Sequence, residues 1–105
     1  MHADNWANKA KQMGYRSRAV FKLEEILNKV VPKNKVKNVL DIGSAPGGWS
    51  QYIIKRYKEA KVYAVDILKM EPLEGVNFYQ ESIENIDNIY QINELKGNFN
   101  LVISD

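Results

Sequence analysis

Residues 39–49, Val-Leu-Asp-Ile-Gly-Ser-Ala-Pro-Gly-Gly-Trp, restrict the fold more than any other stretch of the chain. An apolar run ends in Asp41, turns through Gly43, and resumes regular structure at Gly47-Gly48-Trp49. That order predicts a buried parallel strand, a tight turn and the start of a helix. Such a turn lets backbone approach a ligand closely, with helix N–H groups aimed at it. The same turn also occurs in α/β proteins that bind nothing there, so the surrounding residues have to decide. The spacing Asp41-x-Gly43-x-x-x-Gly47 departs from the G-x-G-x-x-G of dinucleotide folds. Pro46 has no N–H to offer a pyrophosphate. Asp41 would repel phosphate but suit a cationic or hydroxyl-bearing ligand.

The rest of the chain alternates in the same way. Val20, Leu23, Leu27 and Val30 have helical spacing within 17–30, and Pro32 with the Lys/Asn run after it ends that helix. Strands are predicted at Lys37–Ser44, Lys61–Ile67, 76–82 and Phe99–Asp105, the third following the Glu71-Pro72 turn. Helices are predicted over Gly47–Tyr57 and over 83–95, the latter from Ile83, Ile86, Ile89 or Tyr90, and Ile92. Alternation of this kind implies an α/β fold, a parallel sheet with right-handed crossovers. Asp66 closes the second strand, where an acid in a nucleotide-binding fold accepts both ribose hydroxyls. An Asp there can also simply start a turn. Dinucleotide enzymes share this acid, and the Pro46 turn is what separates the two cofactors. A nucleoside carrying an amino-acid tail and a sulfonium charge meets both demands, so S-adenosylmethionine is the expected cofactor.

At 105 residues, 45% hydrophobic and 27% charged, the chain reads as one globular core. No apolar run is long enough for a membrane span, and no secretory signal or obvious transit peptide is visible. Without cysteine, and with His2 as the only histidine, no metal site is expected. These features favour a reducing intracellular setting such as cytoplasm, nucleolus or an organelle matrix, and a monomer. Charge is uneven. Residues 1–37 hold nine Lys/Arg against three acids, whereas residues 38–105 hold six against ten. A basic first third is the footprint of a phosphate-backbone binder, although a Lys-rich chain can carry such an excess on a solvated face. Arg16 and Arg18 are the stronger RNA candidates, because arginine suits bidentate phosphate contacts.

Three segments together resemble the FtsJ/RrmJ family. They are Arg16-Ser-Arg-Ala-Val-Phe-Lys22-Leu, Asp41-Ile-Gly-Ser-Ala-Pro-Gly-Gly-Trp-Ser-Gln51 and Val65-Asp-Ile-Leu-Lys-Met-Glu-Pro72, with Gly75-Val and Ile103-Ser-Asp105 agreeing. The resemblance implies a Rossmann-like, S-adenosylmethionine-dependent RNA 2′-O-ribose methyltransferase. It is closest to the branch acting on a uridine of large-subunit ribosomal RNA, and a tRNA-modifying branch is similar. It implies cofactor contacts at Gly43, Gly47, Trp49, Asp66 and Asp105. Ser82 stands where the family carries an acid near the adenine, with Glu81 beside it. Lys22 and Asp105 match the first two members of a Lys-Asp-Lys-Glu catalytic tetrad. Arg16, Arg18 and Lys22 are the RNA-facing residues. Without that context Lys22 would read as an ordinary solvent-facing lysine.

Residues 1–36 are thus expected to form a basic helical RNA-facing segment, and 37–105 the cofactor half of one methyltransferase domain. A last strand without a following helix, and a tetrad lacking its second lysine and its glutamate, imply part of a longer enzyme. The 105 residues alone are expected to be inactive. Two readings of other classes remain open, a non-catalytic cofactor- or RNA-binding module and an NAD-dependent oxidoreductase.

Overall fold

The computed structural model describes residues 3–30 and 36–104. His2, Pro32 with Lys33 and Lys35, and Asp105 lie outside the described residues. In chain order the elements are α1 (Ala3–Gln12), α2 (Val20–Val30), β1 (Asn38–Ile42), α3 (Gly48–Arg56), β2 (Lys61–Asp66) and β3 (Val76–Gln80). A 3-10 helix (Ile83–Asn88), α4 (Tyr90–Glu94) and β4 (Leu101–Ser104) follow. The strands form one parallel sheet in the order β3-β2-β1-β4.

Both faces of this sheet are covered, which is why β1 reads as continuous apolar sequence rather than alternating. Val39 and Val62 face α2 and α3, packing with Val20, Leu23, Leu27, Trp49 and Ile53. Leu40 and Val65 face the other way, against Ile89 and Ile92. Leu23, Leu27 and Ile53 are essentially inaccessible to solvent. Burying each contributes about 1.5–3 kcal/mol. The chain adds β2 and β3 outward on one side of β1, then returns to lay β4 on the other. The strand order therefore reverses at β1, and a crevice opens at the carboxyl ends of the strands, where ligands of open α/β sheets bind.

Two expected elements differ from what the structure contains. The helix expected at 17–30 begins only at Val20, and α1 precedes it. Between them Gly14 turns the chain at φ +84°, and the Ser17 hydroxyl accepts the Ala19 N–H at 3.1 Å. Arg16 and Arg18 therefore sit on a connecting loop, not on a helix. Helix α1 is amphipathic but mostly polar, and depends on tertiary contact. Ala10 is buried, and the Trp6 ring lies 5.3 Å from that of Phe21.

The helix expected over 83–95 is divided. The Ser82 hydroxyl accepts the Glu84 N–H and starts a 3-10 turn, and Ile89 is extended at φ −85°, ψ 106° before α4 begins. Ile, Asn and Asp are weak helix formers. The isoleucine spacing is satisfied by two short pieces instead of one long one. Among the described residues, no helix is long and apolar enough to cross a membrane.

Candidate active site

The glycine turn is fastened to β2 by its own backbone. Gly43 N–H and Ser44 N–H both donate to the Val65 carbonyl, at 2.8 and 3.2 Å. Ala45 N–H donates to Asp66 Oδ2 at 2.9 Å. These N–H groups are spent inside the protein. The donors left to face a ligand are those that open α3, Gly48 to Ser50, which have no carbonyl four residues back within the helix.

Gly47 caps that helix at φ 117°, ψ 10°. A Cβ there would meet Arg16 Nη1 at 3.0 Å and Met70 Sδ at 3.2 Å. A Cβ on Gly48 would meet Ser17 Cβ at 3.0 Å. Close packing thus favours glycine at both positions, and at Gly47 the conformation does so as well. Gly47 itself lines no cavity that the structure shows near the turn.

Asp41 is 1% exposed and accepts the Ser50 hydroxyl at 2.7 Å. It fastens α3 to β1 at the floor of the turn and also borders the small notch beside Gly43. Asp66 does two jobs. Its Oδ1 accepts the Leu68 N–H at 2.9 Å while Oδ2 holds Ala45, and the carboxylate borders an open cleft of about 260 Å³. Each carboxylate oxygen keeps a second acceptor site. The cleft has an apolar lining from Ile42, Val65, Ile67 and Ile83. Its polar edge is Gly43, Asp66, Glu81 and Ser82. Three of the cofactor residues expected from sequence, Gly43, Asp66 and Ser82, therefore share one cavity.

Next to Ser82, the Glu81 carboxylate accepts the Asn85 side-chain N–H at 3.0 Å and the Ser82 backbone N–H at 3.1 Å. These donors, Asn85 first, hold its carboxyl below the usual range. A carboxylate is therefore present at this corner, though on residue 81 and turned toward the 3-10 helix.

On the other side of Gly43 lies a small notch of about 20 Å³, bordered by Ala19, Ser44, Gly48 and Trp49. The Ser44 hydroxyl is buried against it. Among the described residues it is the buried side-chain polar atom without a hydrogen-bond partner. Trp49 is 9% exposed, and its indole N–H donates to the Ala19 carbonyl at 2.8 Å. It borders the notch from within the core, with no open ring face to offer.

Lys22 and Arg18 line a third space, a groove of about 540 Å³ shared with Trp6, Lys9 and Phe21. Ala19 borders both notch and groove, and Gly43 borders both notch and cleft. Arg16 is different. Its guanidinium donates to the carbonyls of Pro46 (3.0 Å), Glu71 (2.7 Å) and Pro72 (3.0 Å). Its backbone N–H donates to Gln51 Oε1 at 2.8 Å. The side chain expected to reach phosphate instead clamps the glycine turn to the loop after β2. Asp105, expected at both catalytic and cofactor positions, lies outside the described residues. Ser104, just before it, pairs with Ile42 beside the turn.

The Arg16 clamp and the Ser44 hydroxyl escaped sequence reading because both depend on tertiary neighbours. Trp6 and Lys9 carried a signal, an aromatic and a cation three residues apart in a basic segment. Among the described residues no group of three or more His, Cys, Asp or Glu could hold a metal ion.

A parallel sheet that reverses at β1, with a glycine turn, an acid closing β2 and a cleft at the strand ends, defines a Rossmann-like α/β domain. A family model described as FtsJ-like methyltransferase matches residues 15–105. The chain belongs to the FtsJ-like methyltransferase family. It is 45% identical to a Hydrogenovibrio crunogenus protein named ribosomal RNA large subunit methyltransferase E, over 97% of this chain and 51% of that protein. The protein of the same name from Francisella tularensis subsp. novicida is 41% identical, over 98% and 52%. A solved structure from Plasmodium falciparum, described as that of a ribosomal RNA methyltransferase, is 37% identical with a TM-score of 0.72. It is matched over 87% of this chain and 56% of that one. The chain spans about half the length of the curated relatives it matches.

Proposed function

We propose that the complete protein transfers a methyl group from S-adenosylmethionine to a ribose 2′-hydroxyl of RNA, with a uridine of large-subunit ribosomal RNA as the target. One observation carries this reading. Gly43, Asp66 and Ser82 border one cleft at the strand ends, and the notch beyond Gly43 shares Ala19 with the groove that holds Lys22. This supports a nucleoside cofactor and an RNA strand on neighbouring sides of the glycine turn.

The residues present fit the cofactor. The carboxylate of Asp66 suits two ribose hydroxyls, and the apolar walls at Ile67 and Ile83 suit a base. The unpartnered Ser44 hydroxyl and the N-terminus of α3 suit an amino-acid carboxylate. When bound, S-adenosylmethionine supplies an electrophilic methyl on a sulfonium centre. Transfer would exchange the S–C bond for an O–C bond, leaving the neutral thioether, and the hydroxyl proton would pass to a general base of the complete protein. Holding the ribose oxygen about 3 Å from the methyl supplies much of the acceleration. Lys22, bordering the groove, would orient the target nucleotide through its phosphate or hydroxyl. Asp105 would take an orienting role, as the resemblance implies.

The test is a titration of the complete protein with S-adenosylmethionine and NAD, followed by transfer of a labelled methyl to unmodified ribosomal RNA. Heat on S-adenosylmethionine alone and label at a 2′-oxygen are expected. Tight NAD binding without S-adenosylmethionine binding would end this reading in favour of an oxidoreductase.

The clamp makes a separate prediction. Arg16→Ala should lower stability by about 1–3 kcal/mol, from the loss of charged donors to three carbonyls. The salt dependence of RNA binding should stay unchanged. Arg18→Ala should flatten that dependence by about one unit. A flattening with Arg16→Ala would place its guanidinium on a phosphate after all.

A further inference from the structure

The groove beside α2 contains more than charge. Trp6 of α1 and Phe21 of α2 stand with ring centroids 5.3 Å apart and planes tilted by 49°. The Lys9 ammonium lies 5.4 Å from the Trp6 ring and 5.1 Å from the Phe21 ring. Trp6 keeps 39% of its surface exposed, which leaves part of the indole open to a ligand. The groove that it borders, about 540 Å³, also carries Arg18 and Lys22. Two acids lie along the same wall, and each has a partner. Glu24 accepts the Tyr52 hydroxyl at 3.2 Å, and Glu25 pairs with Lys29 at 3.6 Å. The groove therefore sets an aromatic surface among three cations, Lys9, Arg18 and Lys22, against the carboxylates of Glu24 and Glu25.

We infer that this groove is a stacking subsite for an unpaired RNA base beside the target nucleotide, with Trp6 as the platform and Lys9, Arg18 and Lys22 on the flanking phosphates. The inference rests on the RNA reading above and adds to it the state of the strand. Every base has a π-face that an exposed indole can cover, and single-strand grooves combine such platforms with a cationic track. Phe21 and Lys9 fix the indole in place, so little rotamer freedom is lost when a base arrives. A duplex has no free base face to offer, so the subsite selects loops, bulges and opened strands. Ala19 lines both the groove and the notch, so a strand with one base stacked on Trp6 would run toward the glycine turn.

The test uses the complete protein and two probes, a single-stranded RNA of about ten nucleotides, within the usual site size of such grooves, and the same sequence as a duplex. Tryptophan quenching is followed in the wild type and in Trp6→Leu, and the part that the substitution removes reports Trp6. The single strand is expected to quench the emission and the duplex is not. Trp6→Leu should weaken single-strand binding about 5- to 150-fold. The salt slope and S-adenosylmethionine affinity should be unaltered. Trp6→Phe should restore most of the binding, and Lys9→Gln should flatten the salt slope by about one unit. Unchanged single-strand affinity in Trp6→Leu would remove the subsite while leaving RNA as the substrate. Loss of thermal stability in that variant without loss of RNA affinity would also overturn it, because Trp6 would then serve packing alone. A wild-type protein that bound neither probe would bring down the RNA reading itself.

Discussion

Gly47→Ala is expected to destabilise the domain by roughly 2–6 kcal/mol, whereas Gly43→Ala, four residues earlier in the same turn, should cost about 1–3 kcal/mol. Both glycines have positive φ, +117° and +74°, so both substitutions carry conformational strain. They differ in surroundings. Nothing lies within 4 Å of a Cβ built on Gly43, whereas one on Gly47 meets Arg16 Nη1, Leu73 Cδ1 and Met70 Sδ at 3.0–3.2 Å. Relief at Gly47 would push the guanidinium off the carbonyls of Pro46, Glu71 and Pro72, so overpacking and lost hydrogen bonds add to the strain. Urea unfolding of the two variants separates these contributions. Equal losses would mean that the clamp yields freely, and the turn would then be held by β2 alone. The effect on the cofactor should run the other way. Gly43 borders the cleft and Gly47 does not, so a methyl on Gly43 meets the ligand directly.

How much of this was legible in the sequence depends on the range of the interaction concerned. The strands were readable because Val39, Leu40, Val62 and Val65 are apolar on both faces of a sheet covered twice. The cleft was readable because Asp66 and the glycine turn lie at strand ends, where topology alone brings them together. The failures involve contacts that span the chain. Arg16 and its three carbonyl partners are separated by 30 to 56 residues, and no local pattern distinguishes a clamp from a phosphate ligand. Helix α1 is mostly polar in sequence, and what holds it, Ala10 in the core and Trp6 against Phe21, is tertiary contact. The stretch 83–95 has the right spacing for a helix, but Ile89 is extended and divides it. Its weak helix formers let side-chain capping at Ser82 set the local geometry.

The same long-range view makes Asp66 the position where substitution should affect the cofactor most. Its carboxylate holds Ala45 N–H through one oxygen and Leu68 N–H through the other, so it shapes the cleft it also lines. Asp66→Ala removes the expected acceptor for the ribose hydroxyls, a loss of about 1–3 kcal/mol in S-adenosylmethionine affinity. It also frees the turn from one of its fastenings to β2, which adds to that loss. Asp66→Asn is the sharper probe. An amide offers one acceptor oxygen and turns an N–H₂ toward a backbone N–H, so one fastening becomes a repulsion although shape is kept. We expect both variants to raise the KM for the methyl donor strongly, with kcat at saturating donor changed far less. The reason is that the ribose contact is made in ground state and transition state alike. Calorimetry with S-adenosylmethionine and its demethylated product should show equal losses for both ligands, because they share the ribose. A loss confined to kcat, with donor affinity intact, would move Asp66 from the ribose to the reacting centre. The ribose end of the cleft would then have to be assigned to Glu81 or Ser82 instead.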